Sequence, residues 1–325
     1  MHGSFTILGI EFPSYFTFLM LGLMAGFLYG TRKAPLLGLD QGKVLDLCLV
    51  LLVSGLAGGR LAHVLFDGQL DFYYWLCVDP LRTKGELLPS AGLAGGTCTD
   101  DAQCVAANVG ELCSRAAGTC HWSRDCFRVL KFWYGGMTYY GGLLLAMAFG
   151  IRYLRKHQIP VWRVGDLAGM GIPLGVGIGR LGCFLAGCCY GGTADVPWAV
   201  SFPNGSAAWK DHFDQHLVGA TDGSLPVHPT QLYEAALCFS VFLFGRWWFH
   251  RKRTFDGEIF WLTVLMYAAG RFAIERIRGD ERGVLLGLAP SETISLGLLV
   301  TSLIMLWLLA RRPQSPMSTA SSETV

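Results

Sequence analysis

The chain has 325 residues, 52% of them apolar and only 15% charged, with a formal net charge of +2. Soluble domains carry about 25% charged residues, so this composition excludes an ordinary soluble enzyme, and nothing in the balance of charge asks for a nucleic-acid partner. The apolar residues fall in blocks, several of them about 20 residues long, the length of helix that crosses a bilayer.

Taken in order, the blocks predict seven spans, at residues 15–30, 44–66, 136–153, 167–189, 230–249, 259–277 and 284–310. Pro13-Ser14 can open the first helix, and no basic segment precedes it, so no cleavable signal is expected. Basic clusters follow spans one (Arg32, Lys33), three (Arg152, Arg155, Lys156), five (Arg251, Lys252, Arg253) and seven (Arg311, Arg312). Positive residues mark the cytoplasmic side. The expected fold is therefore an all-α integral membrane protein with its N-terminus periplasmic and its C-terminus cytoplasmic. Residues 1–312 would form one membrane domain, with outer loops at 67–134 and 192–228 and a disordered Ser/Thr-rich tail at 313–325.

Six of the eleven cysteines, Cys77, Cys98, Cys104, Cys113, Cys120 and Cys126, lie in the first outer loop. An even set in an oxidising space reads as a small disulfide framework of undetermined connectivity. A zinc knuckle is the rival, but the spacings from Cys98 to Cys104 and from Cys120 to Cys126 are loose for one. Cys48 and Cys238 read as core or lipid-facing residues. Cys183, Cys188 and Cys189 sit in a glycine-rich run, where structural or disulfide-bonded cysteines are favoured over a redox pair or metal ligands. No metal or cofactor is expected.

Polar residues inside spans are functional candidates, because an uncompensated charge at bilayer depth is costly. Arg180 stands among apolar neighbours in Gly177-Ile178-Gly179-Arg180-Leu181-Gly182-Cys183-Phe184. Tyr267, Arg271 and Glu275, spaced by four, share one helix face. Gln231, Tyr233 and Glu234 open span five, Arg60 ends span two, and Tyr139 and Tyr140 open span three. Structural ion pairs would account for some of these; Glu234 or Glu275 would neutralise Arg180 or Arg271. Arginines nevertheless outnumber acids in the apolar regions, and a guanidinium fork matches a phosphate. Asp166 is expected to cap span four and His63 to be structural. No HExxH, GxSxG or P-loop pattern occurs, and the glycine-rich stretches suit helix packing.

These stretches together resemble the prolipoprotein diacylglyceryl transferase family. Gly179-Arg180-Leu181-Gly182-Cys183-Phe184 is similar to the opening of its signature G-R-x-G-N-F-x-N-x-E-x-x-G, which ends here at Gly191. Gly135-Gly136-Met137-Thr138-Tyr139-Tyr140-Gly141-Gly142-Leu143 is similar to its G-G-M-S-F-H-G-G-L segment, and Gly59-Arg60-Leu61 to its second-span motif. His228-Pro229-Thr230-Gln231-Leu232-Tyr233-Glu234 matches H-P-[ST]-Q-L-Y-E, and the run from Tyr267 through Arg271 and Glu275 to Arg278 matches Y-x3-R-x3-E-x2-R. Tyr15 falls where the family has its first-span tyrosine.

The resemblance implies a bacterial inner-membrane enzyme that moves diacylglycerol from phosphatidylglycerol to the lipobox cysteine of a prolipoprotein signal peptide. A thioether forms and glycerol phosphate leaves. It also implies roles by residue. Arg180 and Arg271 would stabilise the departing phosphate, with Tyr267 and Tyr140 also at the reacting centre. Arg60, Tyr15, Gly191, His228, Gln231, Tyr233, Glu234 and Glu275 would bind substrate or orient the arginines. The chain departs from the pattern at Tyr140 (histidine in the family), Cys183 and Ala186 (asparagines) and Cys188 (glutamate), and the cysteine-rich loop is an addition. The alternatives are a non-catalytic or redox-linked lipid-binding paralogue of the same fold, or a small transporter; no internal repeat favours the latter.

Overall fold

A computed structural model describes residues 4–7, 10–85, 98–106, 110–115, 118–131, 136–278 and 289–312. The helices among these are α1 (Ser14–Lys33), α2 (Gln41–Phe66), α3 (Leu70–Val78), α4 (Asp101–Ala106), α5 (Tyr139–Lys156), α6 (Val161–Ala186), α7 (Ala207–Asp214), α8 (Thr230–Arg251), α9 (Glu258–Glu275) and α10 (Pro290–Ala310). Every predicted span meets a helix of 18 residues or more. The start of span seven (284–288), Gly135 and the 313–325 tail lie outside the described residues. Among the described residues, four helical segments are long and apolar enough to cross a membrane: Ser14–Leu37, Gln41–Phe66, Val161–Ala186 and Pro290–Ala310. The chain divides into two compact units, residues 1–46 with 158–325, and residues 47–157.

In the first unit a hairpin of Ser4–Ile7 and Ile10–Pro13, with Phe5 opposite Phe12, leads straight into α1. Helices α1 and α6 meet through glycines at matching four-residue spacings. A methyl group on Gly26 would come within 2.8 Å of the Gly171 carbonyl oxygen, and one on Gly22 would strike Gly175. Small residues spaced this way let helix backbones approach where no hydrophobic force separates helix from lipid. Pro173 lies between the two α6 glycines, a position tolerated where neighbouring helices cover the freed backbone. Leu167, Met170, Ile259, Val44 and Leu37 form the adjoining core.

Two boundaries differ from expectation. α6 begins at Val161 and stops at Ala186, because Gly187 takes a left-handed conformation (φ 69°) whose N–H reaches back to the Cys183 and Phe184 carbonyls. Cys188 and Cys189 therefore lie in the following loop. Asp166 does not cap its own helix. It is fully buried, and its carboxylate accepts from the Gly257 N–H at 3.0 Å and the Phe260 N–H at 3.2 Å, the open start of α9. The acid thus serves the positive end of a neighbouring helix.

The second unit packs α2 on α5, again through glycine: a methyl on Gly58 would lie 2.5 Å from the Gly141 oxygen. Between these helices the chain forms α3, α4 and a three-stranded antiparallel sheet in which Thr119–His121 runs between Lys84–Gly85 and Leu112–Ser114. The six loop cysteines pair as Cys77–Cys126, Cys98–Cys113 and Cys104–Cys120. The disulfide expectation holds, and the knuckle alternative falls because Cys98 and Cys104, like Cys120 and Cys126, belong to different bridges.

Candidate functional site

In the first unit three chain segments converge beyond the end of α6. The loop after Gly187 is drawn to the start of α8: the Gln231 amide donates to the Cys188 carbonyl at 2.7 Å and the Thr230 hydroxyl to the Cys189 carbonyl at 2.8 Å. Gly191 N–H donates to the His228 carbonyl at 2.9 Å, and Gly192 N–H to the Ile277 carbonyl at 3.0 Å, which ties in the chain leaving α9. Gly191 has no room for a side chain, since a methyl would meet His228, Thr230 and the Ile277 oxygen within 2.8 Å. Residues 192–228, read as a plain loop from sequence, supply Phe202, Ala208 and Val227, which pack with Tyr190 as a small core beside α7. There His212 Nδ1 accepts from the Leu225 N–H at 3.2 Å. Burial lowers the His212 pKa from its ordinary value, a shift that nearby Asp211 only partly opposes.

Against this scaffold lie the charged residues. Arg180, two turns before the end of α6, meets Glu234 at 2.9 Å. The Tyr267 hydroxyl donates to the same Glu234 oxygen at 2.8 Å. One turn on, Arg271 and Glu275 touch at 2.6 Å. That contact lacks hydrogen-bond alignment, leaving Arg271 Nη1 and Glu275 Oε2 buried with no directed partner among the described residues. Gln231 Oε1 is in the same position. The backbone bridge from Gly191 to Arg278 brings a third arginine to the loop. Tyr233 shares its hydroxyl with His228 Nδ1 at 3.2 Å and receives the Trp198 indole N–H at 2.6 Å. Tyr15 lies along Gly182, whose added methyl would sit 3.3 Å from the Tyr15 Cα, and it interacts electrostatically with Arg180 and with Cys183, Cys188 and Cys189.

Of the residues singled out from sequence, the structure thus gathers Tyr15, Arg180, Gly191, His228, Gln231, Tyr233, Glu234, Tyr267, Arg271 and Glu275 in one unit. Arg60 and Tyr140 belong to the other. Arg60 is buried and donates to the carbonyls of Val129 (2.7 Å), Arg128 (2.7 Å) and Gly136 (2.9 Å). It thereby anchors the segment entering α5, on which Tyr140 is exposed. The Thr138 hydroxyl and then His63 bond Asp67 and hold its carboxyl below the usual range. His63 thus has the structural role expected of it.

Sequence reading favoured structural or disulfide-bonded cysteines at the end of this run over a redox pair or metal ligands. Cys183, Cys188 and Cys189 are unbridged, and their sulfurs lie within 4.8 Å of one another. The signal was present, as three cysteines inside seven residues, but their meeting depends on the turn at Gly187.

The family model described as prolipoprotein diacylglyceryl transferase matches residues 93–308. Among curated proteins, the phosphatidylglycerol–prolipoprotein diacylglyceryl transferase of Geobacter sulfurreducens is 27% identical over 94% of this chain and 94% of its own. The protein of that name from Clostridium tetani is 24% identical over 90% of this chain and 91% of its own. That from Vibrio vulnificus (strain CMCP6) is 36% identical over 48% of this chain and 52% of its own.

Proposed function

The chain belongs to the prolipoprotein diacylglyceryl transferase family, and from that premise we propose that it transfers the diacylglyceryl group of phosphatidylglycerol to the lipobox cysteine of prolipoproteins, the first step of lipoprotein maturation. The observation that carries this reading is the pairing of Arg180 and Arg271 with acids that leave donors over. Arg180 pairs with Glu234 and Arg271 with Glu275, the Gly191 bridge brings Arg278 to the same loop, and the buried Gln231 Oε1 has no directed partner among the described residues. Guanidinium groups gathered in this way suit an anionic headgroup.

In the reaction the substrate thiol gives up its proton to solvent and its sulfur bonds to the terminal glyceryl carbon. The carbon–oxygen bond breaks, and the electron pair leaves on glycerol phosphate. Negative charge grows on the phosphate, where preorganised guanidinium donors stabilise the transition state. Glu234 and Tyr267 hold Arg180 in position, and Glu275 does the same for Arg271. Tyr15 positions the headgroup; Gly191, His228, Gln231 and Tyr233 shape the loop that bounds it. In the other unit Arg60 fixes the segment that carries Tyr140.

The membrane topology belongs to the same proposal: seven spans in a bacterial inner membrane, with the disulfide-bridged region periplasmic. It is supported by large apolar side chains that stand exposed along α1, α2, α5 and α10, such as Met24, Val53, Leu144 and Val300. Faces of this kind suit lipid rather than water. The three long helices outside the four most apolar ones include α8 and α9, which carry Glu234, Arg271 and Glu275.

The test is transfer by purified protein from phosphatidylglycerol to a lipobox peptide, read by mass spectrometry as a diacylglyceryl-modified cysteine. Product that disappears with Arg180→Ala supports the reading. No product from folded protein would refute it and favour the non-catalytic paralogue.

A further inference from the structure

The cluster of Cys183, Cys188 and Cys189 has no part in the chemistry above. Three thiols meet there within 4.8 Å, one buried and two half-buried, while six other cysteines of the chain are bridged. A zinc ion bound through sulfur at about 2.3 Å sets neighbouring sulfurs about 3.8 Å apart, a separation this cluster accommodates. The arrangement is held from outside. Cys189 adopts a left-handed backbone (φ 61°), unfavourable for a residue with a side chain, and Thr230 and Gln231 clamp the Cys189 and Cys188 carbonyls. Positive charge stands close by: Arg180 interacts electrostatically with Cys183 and Cys189, and Arg278 with Cys189. Three thiolates around a divalent cation carry one net negative charge, which positive charge nearby favours.

We propose that Cys183, Cys188 and Cys189 bind one zinc ion, and that its fourth tetrahedral position takes the thiol of the incoming lipobox cysteine. The inference rests on the reading that this protein alkylates a peptide thiol. Each protein thiol loses its S–H proton to the buffer as its S–Zn bond forms. The peptide thiol does the same, since a coordinating thiol is deprotonated outright. The metal-held thiolate then supplies the electron pair for the new carbon–sulfur bond, glycerol phosphate leaves with the pair of the broken carbon–oxygen bond, and zinc keeps its oxidation state. The neutral thioether is a poor ligand and departs. The metal supplies the deprotonation that a base would otherwise provide, in a chain whose third-span motif carries Tyr140.

The experiment uses the full chain in detergent, purified without chelator. Zinc is counted by mass spectrometry, and cobalt(II) is exchanged in so that sulfur-to-cobalt charge transfer can be read by absorption. We expect one zinc per chain, reduced at least about tenfold in the Cys183→Ser, Cys188→Ser and Cys189→Ser variants. A lipobox peptide should raise the charge-transfer band by about one third, as three thiolates become four, and the same peptide with serine for cysteine should not. The cobalt measurement uses wild-type protein, so a variant that fails to fold does not decide the matter. Zinc no higher than in the serine variants, or a disulfide among the three cysteines in non-reduced protein, overturns the site. A band unmoved by the cysteine peptide, or undiminished transfer after chelation, overturns the role. Metal and peptide response without any transfer would instead refute the proposed reaction while leaving the metal site standing.

Discussion

Helix α6 carries a charged cluster near each end, and the two are built on opposite principles. Near its start, Asp166 accepts from Arg253 at 2.9 Å and from two backbone N–H groups, while Asp256 accepts from Arg163 at 2.9 Å and also from Arg253. Glu258 accepts from Trp248 at 2.9 Å and from Thr254. Every carboxylate oxygen of these three acids has a donor. About 21 Å along the helix, the cluster of Arg180, Gln231, Glu234, Tyr267, Arg271 and Glu275 leaves three buried polar atoms without directed partners among the described residues. Closed networks hold a fold together; incompletely bonded ones are where a ligand can add bonds. Both clusters read alike as charges in apolar helices, so the difference separates structure from chemistry in a way that composition does not.

The largest effect should come from breaking the closed cluster. Asp166→Ala removes the acceptor of the Arg253 guanidinium and of the Gly257 and Phe260 N–H groups, though Arg253 keeps Asp256, and should destabilise the protein by about 3–5 kcal/mol, read as a lowered unfolding midpoint in detergent. The protein that remains folded should keep its transfer rate. Arg180→Lys should behave in the reverse sense. The charge remains but the fork is lost, so transfer should fall about 100-fold, or about 2.7 kcal/mol in the barrier, with little change in the midpoint. A large loss of stability with unchanged turnover would make the second cluster structural too.

Gly191→Ala sharpens the comparison by disturbing the open cluster through its backbone. The added methyl forces His228, Thr230 and the chain at Ile277 apart, and should cost about 1–3 kcal/mol together with a loss of transfer that phosphatidylglycerol excess does not restore. The smallest effect tests the folded region covering residues 193–228. The His212 pKa is lowered on folding, so its contribution to stability is present above the ordinary value of 6.5 and is lost as pH falls below it. Acidification should therefore speed hydrogen exchange at the Leu225 amide, which His212 accepts only when neutral, and should leave the Gly257 amide on Asp166 protected. Equal behaviour of the two amides would show that the region does not open on its own.

The long helices were legible because apolar blocks of about 20 residues permit few structures besides helix, and the start of α1 followed from Pro13-Ser14. Arg180, Glu234, Tyr267, Arg271 and Glu275 were legible because charge in an apolar block is rare enough to stand out. Sequence alone left their partners open between several pairings; packing joined Arg180 to Glu234, while Arg271 met Glu275 one turn along its own helix. Asp166 was misplaced for the same reason: a cap is recognised by local spacing, while this carboxylate reaches a helix that begins 92 residues later. The disulfide pairing and the meeting of Cys183, Cys188 and Cys189 likewise depended on where the chain turns, at Gly187 and at a left-handed Cys189. Sequence by itself determined the long apolar helices and which charges must find partners, because those follow from local hydrophobicity and the cost of burial, while the short helices α3, α4 and α7 lay in stretches read as loops. Tertiary structure decided which partners they found, because distance in space is set by helix packing and loop closure and leaves no periodic trace along the chain.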